Sequence, residues 1–72
     1  MKSGARMTVL LNGAGQDLPE GATVLALLET VGLAPGRVAV EVNGRVVRRE
    51  EFPRVGLRDQ DRVEVVHFVG GG

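Results

Sequence analysis

The chain has 72 residues, nine basic and nine acidic side chains, eleven glycines and no cysteine. That length allows one small domain, which buries only about 60% of the surface its unfolded form exposes. A formal net charge of zero argues against a nucleic-acid module held by phosphate attraction, the lack of cysteine excludes thiolate metal sites and catalytic thiols, and no apolar run approaches the roughly 18–20 residues of a membrane span. A cytoplasmic protein that is monomeric when free is the expectation.

Residues 1–6, Met-Lys-Ser-Gly-Ala-Arg, are small, polar and non-periodic, and read as a disordered lead. Regular structure is expected from Met7. Met7, Val9 and Leu11 alternate on one face of a strand. Asn12-Gly13 follows, a pair suited to a tight hairpin turn because both central residues need positive φ. Gln16-Asp17-Leu18 is a short return strand, and Pro19-Glu20-Gly21 turns the chain, with the proline expected at the second turn position. Thr23 then caps a helix. Val24, Leu27, Leu28 and Val31 fall on one stripe, Gly32 ends the helix, and Pro35-Gly36 prevents its continuation. An amphipathic helix must lie on something, and a sheet is the only candidate in this chain.

Val38, Val40 and Val42 alternate inward on a further strand. Asn43-Gly44 marks a second hairpin, with Arg45-Val46-Val47 returning. Pro53 excludes a central strand from the next stretch. That stretch reads as a short turn of helix or an irregular segment whose Phe52, Val55 and Leu57 plug one end of the core. Asp59-Gln60-Asp61 is a turn into the last strand. There Val63 and Val65 face one way, and Glu64, Val66 and Phe68 the other. The first and last strands are expected side by side and parallel at the sheet centre. The sum is an α+β roll, one helix across a mixed sheet of four to five strands.

No catalytic constellation stands out. The carboxylate pairs Glu50-Glu51 and Asp59/Asp61 sit in turns and read as solvated surface. His67 has no evident orienting partner. No phosphate-binding lysine loop is present, since the only lysine is Lys2. A core of this size leaves little room for a ligand pocket. Neither a metal site nor a bound cofactor is expected.

The informative feature is the run Phe68-Val69-Gly70-Gly71-Gly72. One reading is a frayed end or sequence added for expression. The other starts from shape. Glycines lack Cβ, so such a peptide threads a narrow channel that side chains block. The carboxylate of Gly72 is then the group presented at the tip. A carboxylate can attack the α-phosphorus of ATP to give an acyl-adenylate, which a sulfur nucleophile can capture.

Several segments carry a family resemblance. Asn12-Gly13 and Leu18-Pro-Glu-Gly-Ala-Thr-Val-Leu25 come first. Val40-Glu-Val-Asn-Gly44, Val46-Val-Arg-Arg-Glu50 and Leu57-Arg-Asp-Gln-Asp-Arg-Val-Glu-Val65 follow in order, and His67-Phe-Val-Gly-Gly-Gly72 closes the series. Together they resemble the ThiS family, the sulfur carriers of thiamine biosynthesis, over Met7 to Gly72. The resemblance implies a ubiquitin-like β-grasp domain at 7–69 and a flexible tail at 70–72. It implies that an E1-like enzyme (ThiF-like), using ATP and Mg, adenylates Gly72. Sulfur from a cysteine persulfide then replaces AMP and leaves a thiocarboxylate. A thiazole synthase (ThiG-like) takes that sulfur with Gly70 and Gly71 threaded into its active site. The chain is accordingly a protein co-substrate rather than an enzyme, and binds neither nucleic acid nor membrane.

One departure concerns the last turn, which usually reads Asp-Gly-Asp in the family. Gln60 here tolerates positive φ less well than glycine. Val66, Phe68 and Val69 on the outward face of the last strand are candidate docking residues, against the alternative that Phe68 covers an edge of the core. The arginines at 45, 48, 49, 54, 58 and 62 are interleaved with acids and read as a solvated face. Three other readings compete. One is a MoaD-like carrier for molybdopterin or another sulfur-containing metabolite. The second is a β-grasp binding module that needs no free glycine end. The third is a ubiquitin-like modifier, which predicts isopeptide bonds to other proteins.

Overall fold

The computed structural model describes residues 5–68. Five strands form one sheet: β1 (Arg6–Leu11), β2 (Ala14–Pro19), β3 (Val38–Val42), β4 (Arg45–Val47) and β5 (Arg62–His67). A single helix, α1 (Val24–Val31), crosses between the two hairpins. The sheet order is β2-β1-β5-β3-β4. β5 runs parallel to β1 and antiparallel to β3, so the last strand is the central one. This is the roll expected from the sequence and the β-grasp arrangement that the resemblance implies.

The first strand starts one residue earlier than the sequence suggests, at Arg6 and not at Met7. Arg6 is in β1 opposite Pro19, and the Ala5 carbonyl accepts a bond from Glu20 N at 3.0 Å. Arg6 therefore belongs to the sheet, and Ala5 is tied to its edge by that one bond; a strand can recruit a polar residue where backbone pairing alone holds it. β2 is also longer than expected, because the Asn12-Gly13 turn closes directly on the Leu11–Ala14 pair. Both turn residues have positive φ, 49° and 86°, as do Asn43 and Gly44 at 52° and 83°. Pro19 takes the first position of its turn rather than the second. Ala22 N bonds its carbonyl at 3.1 Å, and Gly21 supplies the positive φ of 86°.

The helix start is fully satisfied. Thr23 Oγ1 accepts from Ala26 N at 3.1 Å, a cap worth about 1 kcal/mol. Val24 N and Leu25 N, which have no partner within the helix, donate to the carbonyls of Val55 and Phe52, both at 3.0 Å. The irregular stretch after β4 thus closes the helix N-terminus as well as plugging the core. It begins with one 3-10 turn, Arg49–Glu51, held by Arg48 N donating to Glu51 Oε1 at 3.0 Å. At the other end Gly32 is left-handed, with Gly32 N bonding Glu29 O and Leu33 N bonding Leu28 O. Pro35–Arg37 make a second 3-10 turn into β3.

The core is apolar throughout. Val9, Leu18, Val24, Leu27, Leu28 and Val63 are fully buried, and Phe52 and Leu57 seal the end near the helix start. Leu11, Val42 and Val55 pack at its margin. Among the described residues no side-chain polar group is buried without a partner, and no helix is long and apolar enough to cross a membrane.

Candidate functional site

β5 organises the site because it leads from the core to the glycine run. Its side chains alternate. Val63 and Val65 are buried beneath α1, whereas Glu64 and Val66 are exposed on the other face; His67 follows Val65 on the helix side but is exposed at the strand end. Its backbone alternates too. Arg62, Glu64, Val66 and Phe68 turn their backbone groups toward β3, shown by Asn43 N bonding Arg62 O at 2.7 Å and Phe68 N bonding Arg37 O at 2.9 Å. Asp61, Val63 and Val65 turn theirs toward β1. Leu10 N bonds Asp61 O and Asn12 N bonds Val63 O, both at 2.8 Å.

The parallel ladder between β1 and β5 has two residue pairs, Leu10–Arg62 and Leu11–Val63. Side chains extend it at both ends. Before it, Thr8 N donates to Asp59 Oδ1 at 2.8 Å and Gln60 N to Thr8 O at 2.7 Å. After it, the Asn12 carboxamide stands in for a further strand residue. Val65 N donates to Asn12 Oδ1 at 2.8 Å, and Asn12 Nδ2 donates to Val65 O at 3.1 Å. Asn43 makes a comparable clamp at the strand start, accepting from Arg62 N and donating to Asp61 Oδ1, both at 2.9 Å.

The acidic turn is therefore exposed but bonded, which refines the expectation of merely solvated carboxylates. Asp61 Oδ2 also accepts from Arg58 N at 2.8 Å. Gln60 adopts φ of 70°, so the turn takes the left-handed geometry without glycine. The arginine-rich third is solvated: its one ion pair among the described residues, Arg48–Glu50 at 3.3 Å, is largely exposed.

The sheet face away from α1 carries the exposed apolar groups. Val66 is 63% exposed and Phe68 50% exposed. Val66 lies opposite Ala39 of β3, also exposed. Val46 of β4, 67% exposed, extends the apolar surface on the same face and was not singled out from sequence. In Arg45-Val46-Val47 nothing but the pleat decides which valine points out. The carboxamide roles of Asn12 and Asn43 were also missed, because a turn motif does not tell which strand will lie beside it. Val69, Gly70, Gly71 and Gly72 lie outside the described residues.

No group of His, Asp and Glu that could hold a metal occurs among the described residues. A surface cleft of about 510 Å³ lies beside β4, lined in part by Val42, Arg45, Val47 and Glu51. It is outside the core, and none of its lining residues is on β5.

The comparisons with known proteins point one way. The chain matches the model of the ThiS family over residues 8–72. It is 42% identical over 50 residues to the sulfur carrier protein ThiS of Bacillus subtilis, covering 69% of this chain and 76% of that one. It is 46% identical over 66 residues, 92% of this chain, to a thiazole synthase of Magnetococcus marinus. The chain spans about a fifth of the length of the thiazole synthases it matches. The crystal structure of the thiamine biosynthesis protein ThiS from Geobacter metallireducens superimposes with a TM-score of 0.78 at 36% identity, covering 92% of this chain and all of that one.

Proposed function

The chain belongs to the ThiS family, and from that premise we propose that it is a sulfur carrier for the thiazole step of thiamine biosynthesis, acting as co-substrate and not as catalyst. The observation that carries the reading is the family match through Gly72 on a domain whose central strand leads into Val69-Gly70-Gly71-Gly72. In this reading an E1-like enzyme binds ATP and Mg. A Gly72 carboxylate oxygen attacks the α-phosphorus, and pyrophosphate leaves. A sulfur nucleophile then adds to the acyl carbon and AMP leaves. With sulfide as nucleophile the product is directly the thiocarboxylate, and one proton is released.

The chain's own part is presentation. Gly70 and Gly71 thread where a Cβ would collide, while Val66, Phe68 and Val69 form the docking surface at the tail root. The absence of cysteine fits, since no persulfide can form on this chain and the acyl group must hold the sulfur. Similarity to thiazole synthases favours the thiazole ring as destination.

The test is intact mass after incubation with a ThiF-like enzyme, Mg-ATP and sulfide. Exchange of oxygen for sulfur adds about 16 Da, as does oxidation of a methionine, so half the sample is treated with a thiol-alkylating reagent. The reading expects an alkylated product that disappears when Gly72 is deleted or one residue is appended after it. A non-alkylatable chain, with an enzyme active on another carrier, refutes it and favours a binding module.

A further inference from the structure

Both hairpin turns, Asn12-Gly13 and Asn43-Gly44, carry the dipeptide chemically most prone to deamidation. The reaction is intramolecular. The glycine backbone nitrogen, losing its proton, attacks Cγ of the asparagine. The new N–Cγ bond closes a succinimide, and the Cγ–Nδ2 bond breaks to release ammonia. Water then opens the ring at either carbonyl and leaves aspartate or isoaspartate. Glycine favours the attack because no side chain shields its nitrogen.

The fold leaves the attacking atom free and holds the leaving group. Among the described residues no hydrogen bond engages Gly13 N or Gly44 N. Each carboxamide, in contrast, is bonded through both of its polar atoms. Asn12 grips the Val65 backbone at 2.8 and 3.1 Å. Asn43 accepts from Arg62 N and donates to Asp61 Oδ1, both at 2.9 Å. All these partners lie between residues 61 and 65, so the start of β5 keeps both side chains from swinging toward the glycine nitrogen. The grips differ in depth: that of Asn12 is part-buried, that of Asn43 exposed. The turns are otherwise matched. Each asparagine follows an aliphatic residue, Leu11 or Val42, and their φ angles are 49° and 52°. Their intrinsic reactivities are therefore alike, and a difference in the folded chain reports the grip.

We propose that Asn43 is a deamidation site at which the folded chain ages, gated by the start of β5. The exposed grip opens more often than the part-buried one, so Asn43 reacts first. The product cannot restore the grip. A carboxylate at position 43 faces the Asp61 carboxylate where Nδ2 donated at 2.9 Å, and two such charges repel. An isoaspartate also adds a main-chain atom to a two-residue turn. A transient opening is thereby converted into lasting loss of the anchor at the strand start.

The experiment follows peptide masses and isoaspartate in the purified chain, kept in mildly alkaline buffer either folded or in urea. In urea the two sites are expected to react at similar rates. In the folded chain Asn43 is expected to slow about tenfold and Asn12 by more. An equal rate at Asn43 in both states, reaction at Asn12 ahead of Asn43, or no reaction at Asn43 in either state overturns the proposal. Asn43→Asp, made directly, tests the product. Its urea midpoint is expected below that of the parent, and adding Asp61→Asn is expected to restore it. The exchanged pair again joins one donor to one acceptor, and the remaining carboxamide oxygen can accept from Arg58 N as Asp61 Oδ2 does. An unchanged midpoint in Asn43→Asp, or a lowered one that Asp61→Asn leaves unrepaired, overturns the clash. If Asn43→Asp does not fold, the double variant decides: folding supports the clash, and failure to fold overturns it. None of these readouts uses the activating enzyme, so the outcome is independent of the Gly72 reading.

Discussion

The two ends of β5 are built on opposite rules. At its start the Arg62 backbone bonds Asn43, and the neighbouring Asp61 and Val63 carbonyls accept from Leu10 N and Asn12 N. Val63 is wholly buried among apolar side chains. At its end Val66 is largely and Phe68 half exposed, and among the described residues no hydrogen bond engages the His67 backbone on the β1 side. The same strand is a foundation at one end and, in the function proposed above, a presenting arm at the other. A carrier needs this combination, because a tail is aimed only as well as its root is fixed.

The largest expected effect separates the two ends directly. Val63→Asp buries an unpaired carboxylate at a site with no exposure, at a cost of several kcal/mol. A domain of this size has about that much stability in total, so the variant is expected to be unfolded by circular dichroism. Val66→Asp, three residues on and on the solvent side, is expected to stay within about 1 kcal/mol of the parent in urea denaturation. Its capture by the activating enzyme should fall about tenfold or more, equivalent to about 1.4 kcal/mol of lost docking. Equal loss of stability in both variants would erase the distinction between foundation and arm.

A smaller effect lies just before the strand. Gln60 holds φ of 70°, which costs about 1–2 kcal/mol for a residue with a side chain. Gln60→Gly removes that strain but adds unfolded-state freedom of about 0.4–1 kcal/mol. A net gain of about 0.5–1 kcal/mol in chemical denaturation is expected, with sulfur loading unchanged. The smallest effect concerns the strand middle. Glu64 lies directly opposite Glu41 on the exposed face, and like charges facing each other across strands repel. Glu64→Gln should stabilise by a few tenths of a kcal/mol, and the gain should shrink as salt is raised.

Much of this was legible in the residues because the signals were local. The valine alternation of β3 and β5, the Thr23 cap, the Gly32 stop and both Asn-Gly turns each rest on a few neighbouring residues. The parallel pairing of first and last strands followed from having one helix as crossover. What escaped was long-range. Phe52 O and Val55 O satisfying the helix start, Asp59 bonding Thr8 and Asn12 bonding Val65 join residues about 27 to 53 positions apart. No local pattern encodes such pairs. Edges escaped for a related reason: Ala5 and Arg6 carry no strand signal of their own and are ordered by the partner strand. In the candidate site, Val66 and Phe68 were readable from alternation, whereas Val46 and Asn12 required the sheet order.

The central place of β5 has a consequence for how the molecule comes into being. The strand on which the whole sheet closes is the last to be synthesised. Without β5 the sheet order leaves two hairpins, β1–β2 and β3–β4, with no strand between them. Contacts that span most of the sequence also slow folding. Closure of the sheet therefore waits on the same strand that leads toward Gly70-Gly71-Gly72.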